Sequence, residues 1–206
     1  MHTPISPEEA KNITIDSYNA HIEEYVDKDS SDDVRTLAYW PGVQHFLDQL
    51  QPGQEILEIG SGTGADARRI ESRGFTVQRT DVTDAFIKYM HAKNFDATHF
   101  DILSGPHAVK HAAIFANAVF LHFTTEQFEE ALRNVLGSLT DDGLFCIGMK
   151  LGDFEGWREK GLSGKRYFKF WDLQNLQMEL RKAGFQILQA YVTPSEDFAV
   201  LTVRKG

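Results

Sequence analysis

The stretch that most limits how this chain can fold is Ile56-Leu57-Glu58-Ile59-Gly60-Ser61-Gly62-Thr63-Gly64-Ala65-Asp66-Ala67. A short apolar run ends near an acidic residue, three glycines follow at alternate positions, and an alanine-led segment comes next. This order predicts a buried strand, a tight turn and a helix N-terminus. Glycine has no Cβ, so the turn can take positive φ and a ligand can lie against bare backbone. The first helix amides point into that space with the positive end of the helix dipole. Glu58, at the end of the strand, can accept hydrogen bonds from a hydroxyl or ammonium group. The arrangement implies a nucleotide-like cofactor site, with Gly60, Ser61, Gly62, Thr63 and Gly64 as its turn.

From residue 54 onward strand and helix signals alternate, which predicts a parallel sheet with helices on both faces. Helices are expected over 65–73, 84–93, 126–139 and 171–183, with Gly74 and Gly184 as stops. Strands are expected over 75–80, 97–100, 112–121 and 144–149, and Asp141-Asp142-Gly143 reads as the turn before the last of these. Residues 185–192 and 198–203 then read as a hairpin around Pro194-Ser195-Glu196-Asp197. Asp81 and Asp101 would end the second and third strands, and His122 the fourth. Glu58, Asp81 and Asp101 would therefore line one carboxyl edge, where open α/β sheets bind ligands.

Everything before residue 54 reads as a helical cap. Ser6-Pro7-Glu8-Glu9 is a capping box with proline at the first helical position. Ile15, Tyr18, Ile22 and Val26 follow at helical spacing, 27–33 break the pattern, and a second helix is expected over 34–40. Pro41-Gly42 should interrupt it, and Val43, Phe46, Leu47 and Leu50 mark a third helix closed by Pro52-Gly53. A chain of 206 residues fits one domain, a cap over 1–53 and a core over 54–206.

Composition narrows the function classes. No apolar run is long enough to span a bilayer, and Met1-His2-Thr3-Pro4 does not open a signal peptide, so a cytoplasmic protein without a membrane partner is expected. The single cysteine, Cys146, rules out an internal disulfide and a cysteine zinc cluster, and no metal site is expected. A net charge of −9 repels a polyphosphate backbone, so nucleic acid is not expected as a substrate.

Gly60, Gly62 and Ala65 also satisfy the loose dinucleotide pattern G-x-G-x-x-[GA], so the glycines leave the cofactor open. Glu58 discriminates, because a dinucleotide fingerprint usually has an apolar residue there. Glu58-x-Gly60-x-Gly62-x-Gly64 resembles the first motif of class I S-adenosylmethionine (SAM) dependent methyltransferases, in the small-molecule branch. The resemblance covers about residues 54–206. It implies a doubly wound, Rossmann-like, seven-stranded and mostly parallel α/β sheet with a C-terminal antiparallel hairpin. It also implies SAM as cofactor and S-adenosylhomocysteine (SAH) as product. In such a protein Glu58 and the glycine loop hold the methionine part and ribose, and Asp81, beside Val82, binds the ribose hydroxyls. Asp101 accepts from the adenine amino group, the Ile102 amide bonds the ring, and Asn117 joins the cofactor set.

Methyl transfer by in-line displacement disperses charge, so orientation and exclusion of water are the main tasks. A base is needed only for an acceptor that arrives protonated. His122 sits where many small-molecule members have a histidine; it is either that base or a structural cap of the strand–helix junction. Tyr18 and Tyr25 either close over the cofactor, as in related enzymes, or simply pack on an amphipathic helix. Segment 117–123 lacks the Asn-Pro-Pro-Tyr type signature of enzymes that methylate planar amino groups.

Residues 150–170 read as a substrate lid, with Gly152, Gly156, Gly161 and Gly164 among Phe154, Trp157, Tyr167, Phe168 and Phe170. Six basic residues there (Lys150, Arg158, Lys160, Lys165, Arg166, Lys169) face three acidic ones. The segment is either a solvated loop or the site of a small anionic acceptor clamped by Arg166, whose fork binds carboxylates in two places. Arg79 stands where the family favours a small residue, so crowding or a local salt bridge is expected. His111-Ala112-Ala113 stands where an aspartate is usual. Two rival readings remain. An NAD-dependent oxidoreductase would need a Tyr-x-x-x-Lys or comparable proton donor, and Tyr18 and Tyr25 have no lysine four residues on. A non-catalytic SAM-binding protein is the other.

Overall fold

The computed structural model describes residues 5–29, 33–159 and 161–206, with backbone alone at 28, 29 and 33–37. Lys160 and the first four residues, singled out above, lie outside it. In chain order the elements are α1 (Pro7–Ala20), α2 (Ile22–Asp29), α3 (Asp33–Leu47), β1 (Glu55–Ile59), α4 (Ala65–Glu71), β2 (Thr76–Asp81), α5 (Asp84–Ala92) and β3 (Ala97–His99). Then come β4 (His111–Asn117), α6 (Thr125–Ser138), β5 (Leu139–Lys150), β6 (Glu155–Arg158), β7 (Arg166–Lys169), α7 (Leu173–Lys182), β8 (Phe185–Val192) and β9 (Phe198–Lys205).

Seven strands form one sheet in the order β3-β2-β1-β4-β5-β9-β8. The first five are parallel, and β9 runs antiparallel to both β5 and β8. Strand order reverses between β1 and β4, and at such a switch point the loops diverge and leave a crevice. Both sheet faces are covered, which is why the strands read as continuous apolar runs. Leu57, Ile114, Phe145 and Leu201 pack with Phe128 and Leu132 of α6 and with Leu176 and Leu180 of α7. Ile56, Phe115, Cys146 and Val200 turn to the other face and meet Val43, Phe46 and Leu47 of α3.

Local sequence rules account for most element ends. Ser6 Oγ accepts from the Glu9 amide at 3.1 Å and starts α1. Thr124 and Gln127 form a reciprocal capping box on α6. Asp172 accepts from the Asn175 amide at 2.9 Å, which starts α7 at Leu173 rather than at Trp171.

Several expectations are corrected. Pro41 lies inside α3 instead of ending a helix. An interior proline costs about 3 kcal/mol, but burial of Val43, Phe46 and Leu47 against the sheet outweighs it, since losing one such side chain costs about 2–5 kcal/mol. The first helix breaks at His21, which has φ −126° and ψ 31°, so Ile22 and Val26 belong to α2. β4 stops at Asn117, because Ala118 takes a left-handed φ of 57°; Phe120, Leu121 and His122 form a single 3₁₀ turn. β5 starts at Leu139, and the Asp141-Asp142-Gly143 turn survives as a bulge between the pairs His111–Leu139 and Ala113–Leu144. Segment 150–170 is a separate antiparallel hairpin, β6–β7, rather than an open loop. It packs on α1, where the Tyr167 amide donates to Thr14 Oγ1 at 3.0 Å.

Candidate active site

The glycine turn follows β1 with φ values of 72° at Gly60, 54° at Gly62 and 73° at Gly64. It is stitched to β2. The Ser61 amide donates to the Thr80 carbonyl at 2.9 Å, and the Thr80 amide donates to Ser61 Oγ at 3.1 Å. A Cβ on Gly60 would sit 2.4 Å from Val119 Cγ2, whereas one on Gly62 would meet nothing nearer than the Tyr25 hydroxyl at 3.8 Å. The backbone at Gly62 is therefore bare toward open space. That space is a crevice of about 850 Å³, measured out to its mouth.

Asp81 and Asp101 both line this crevice, together with Gly60, Gly62, Val82, Ile102, Asn117, Tyr18 and His122. Asp81 Oδ2 accepts from the Gly62 amide at 2.9 Å, and Oδ1 from the Thr83 amide at 2.8 Å. Burial raises its carboxyl above the ordinary value, against those hydrogen bonds. Asp101 Oδ1 accepts from the Leu103 amide at 3.0 Å, and Oδ2 from the Ser104 hydroxyl at 2.9 Å. The Lys11 ammonium, from α1, bonds the same Oδ2. Burial alone would raise Asp101, but Lys11, Leu103 and Ser104 outweigh it and hold the carboxyl low.

Glu58 stands apart. It is 2% exposed and lies behind the turn rather than on the crevice wall. Its Oε2 has no hydrogen-bond partner, and burial pushes the carboxyl up to about 8. Asp66 and Asp81 add to the rise, while Ser61 and Arg79 oppose it. Arg79 forms the expected salt bridge, 2.5 Å to Glu71 Oε2, and stacks on Phe95. Its charge also acts on Glu58. Ser61, Thr63 and Gly64 shape the turn without reaching the wall. Asn117 Nδ2 donates to Asp66 Oδ2 at 2.8 Å, leaving a buried Oδ1 without a partner.

Tyr18, His122 and Arg166 are brought together. His122 Nδ1 donates to the Tyr167 carbonyl at 2.7 Å, so Nε2 is the acceptor for the Tyr18 hydroxyl at 2.9 Å. Burial, reinforced by the Arg166 charge, holds His122 down to about 4 despite the bond to Tyr167. Burial also raises the Tyr18 hydroxyl, while Arg166 opposes through its charge and a hydrogen bond. Arg166 itself is 4% exposed, sits 5.5 Å from the rings of both Tyr18 and Phe168, and does not line the crevice. It backs Tyr18 instead of reaching into the crevice. Lys11, Thr14, Phe86, Val119 and Phe123 were missed as wall residues. Lys11, Thr14, Ile15 and Tyr18 share one face of α1 at helical spacing, a signal that sequence could have supplied for the first two. Among the described residues no His, Cys, Asp and Glu cluster could hold a metal, and no helix is long and apolar enough to cross a membrane.

This site at the carboxyl edge of a doubly wound sheet is that of a Rossmann-like methyltransferase fold. The chain belongs to the methyltransferase domain family, whose model matches residues 31–190. An uncharacterized methyltransferase of Staphylococcus carnosus is 25% identical over 135 residues, which span 65% of this chain and 64% of that protein. The match thus covers just under two thirds of that relative's length. Among solved structures, the Burkholderia thailandensis 1,6-didemethyltoxoflavin-N1-methyltransferase with bound 1,6-didemethyltoxoflavin and SAH superposes with a TM-score of 0.77. It is 17% identical, with 100% of this chain and 93% of that chain covered. DhpI in complex with SAH gives a TM-score of 0.76 at 18% identity, covering 98% of this chain and 99% of that one.

Proposed function

We propose that this protein transfers a methyl group from SAM to a small-molecule acceptor. The observation that carries the reading is the bare Gly62 backbone opening onto a crevice that Asp81 and Asp101 also line. The residues present fit that cofactor. Asn117, on the crevice wall, has a buried Oδ1 without a partner, and Glu58 Oε2, behind the turn, is likewise unpartnered; such orphans are costly unless a donor arrives. The α-ammonium of SAM is a donor of the right kind. Asp81 would hold the ribose hydroxyls, with Val82 alongside. Asp101, shared with Lys11, would accept from the adenine amino group, beside the Ile102 amide. The family match and the two SAH-bound structural neighbours support the same cofactor.

When bound, the cofactor supplies an electrophilic methyl group on a sulfonium. This chain's own contribution is positional. The roof helix α1 carries Tyr18 over the crevice, and the Tyr18–His122 bond fixes it to the turn after β4. Both nitrogens of His122 are engaged, so this histidine orients the roof and excludes water rather than taking a proton near neutrality. Arg166 supports Tyr18 from behind. An acceptor brought against this wall is held for in-line attack with little loss to solvent.

Calorimetric titration with SAM, SAH and NAD tests the reading. SAM and SAH should bind and NAD should not. Binding of NAD alone would point to a dehydrogenase, and binding of SAM without SAH formation across a broad acceptor panel would point to a non-catalytic SAM-binding protein.

A further inference from the structure

We infer that the acceptor chamber is built for an uncharged aromatic ring; the inference rests on the cofactor reading above and names its substrate class. Besides the carboxylates and the glycine turn, the crevice wall includes Ile15, Tyr18, Tyr25, Phe86, Val119 and Phe123, with Thr14, Thr83, Phe100 and His122 among them. Three of those rings form one continuous surface. Tyr18 and Tyr25 meet edge to face at 5.7 Å, as do Tyr25 and Phe86 at 5.0 Å, while Tyr18 and Phe86 lie tilted at 5.7 Å. Rings packed this way present both faces and edges, which suits offset or edge-on contact with another aromatic system.

Charge on the wall is already spoken for. Lys11, Asp81 and Asp101 are the charged wall residues among those described. Lys11 is bonded to Asp101, and both Asp81 oxygens accept backbone amides. Arg166 is not part of the wall and sits 5.5 Å from the Tyr18 ring. An acceptor carboxylate would thus be desolvated with no cation free to meet it, and burying an unpaired charge is strongly unfavourable. A cationic amine would find both carboxylates engaged. Apolar and quadrupolar contact is what the wall offers.

The test uses the full chain saturated with SAH, titrated with indole, quinoxaline and pterin and, in parallel, with indole-3-acetate, quinoxaline-2-carboxylate and pterin-6-carboxylate. At least one uncharged ring should bind, and more tightly than its carboxylate by about tenfold or more. Phe123→Leu should weaken that binding roughly three- to tenfold while leaving SAH affinity within about twofold. Binding of a carboxylate as tightly as its parent ring, or of no uncharged ring up to 1 mM, overturns the inference while leaving the cofactor reading intact. Failure of SAH itself to bind removes both.

Discussion

The Tyr18 hydroxyl donates to His122 Nε2 at 2.9 Å, joining the roof helix to the turn that ends β4 across 104 residues of sequence. Removing it should loosen the roof. Tyr18→Phe leaves a buried imidazole nitrogen unpaired, which costs about 1–3 kcal/mol. Urea denaturation should show a loss of that size, and amide exchange over α1 should quicken. Unchanged exchange would mean that the roof is held elsewhere.

His122 also makes stability depend on pH. Its folded pKa, about 4, lies below the ordinary value of 6.5. Between these values the unfolded chain binds the additional proton, so stability from this group rises with pH through about 4 to 6.5 and is flat above. The whole effect is on the order of a few kcal/mol. His122→Asn should flatten that part of the stability–pH curve relative to the parent protein, as read by denaturant midpoints at several pH values. A parallel curve would contradict the assignment.

Glu58 should act in the opposite sense. With its carboxyl raised to about 8, the folded chain holds a proton that the unfolded chain releases above about 4.5, so stability from this group falls as pH rises between the two. Glu58→Gln should therefore be more stable than the parent at pH 8, with the difference shrinking toward pH 5. It should also bind SAH at least tenfold more weakly, because the negative charge that would draw the cofactor's ammonium is lost even though an amide oxygen remains. A variant that is more stable yet binds SAH normally would remove Glu58 from the cofactor set.

The turn glycines separate folding from binding. Gly60→Ala places a methyl 2.4 Å from Val119 Cγ2 at a φ of 72°, so it should cost about 1–3 kcal/mol of stability. Gly62→Ala meets only the strain of a left-handed φ, about 1–2 kcal/mol. Its methyl, however, projects toward the crevice, so SAH affinity should fall far more than the melting temperature would suggest. Equal losses in both variants would argue against a ligand lying on Gly62.

What sequence disclosed and what it concealed divide along a physical line. The β1–glycine turn–α4 unit, the placing of Asp81 and Asp101 after consecutive strands, and the C-terminal hairpin were legible because turn chemistry and apolar periodicity are local; the burial of Glu58 behind the turn was not. The hidden features depend on contacts between distant segments. Lys11 meets Asp101 across 90 residues, and Thr14 meets Tyr167 across 153. Pro41 reads as a break only if the burial that α3 gains against the sheet is ignored. Arg166, charged and flanked by glycine-rich sequence, reads either as part of a solvated loop or as the clamp of an anionic acceptor; its place behind Tyr18 follows from the β6–β7 hairpin packing on α1. The segment expected as a substrate lid thus packs, as a hairpin, against α1.

The measurement that bears most directly on the account is a crystal structure of the protein grown with SAH. Density for the adenosine and amino-acid parts should lie on the Gly62 backbone, with Asp81 at the sugar and Asp101 at the base. SAH bound elsewhere on the molecule, or a crevice closed over by side chains with no room for it, would contradict the account.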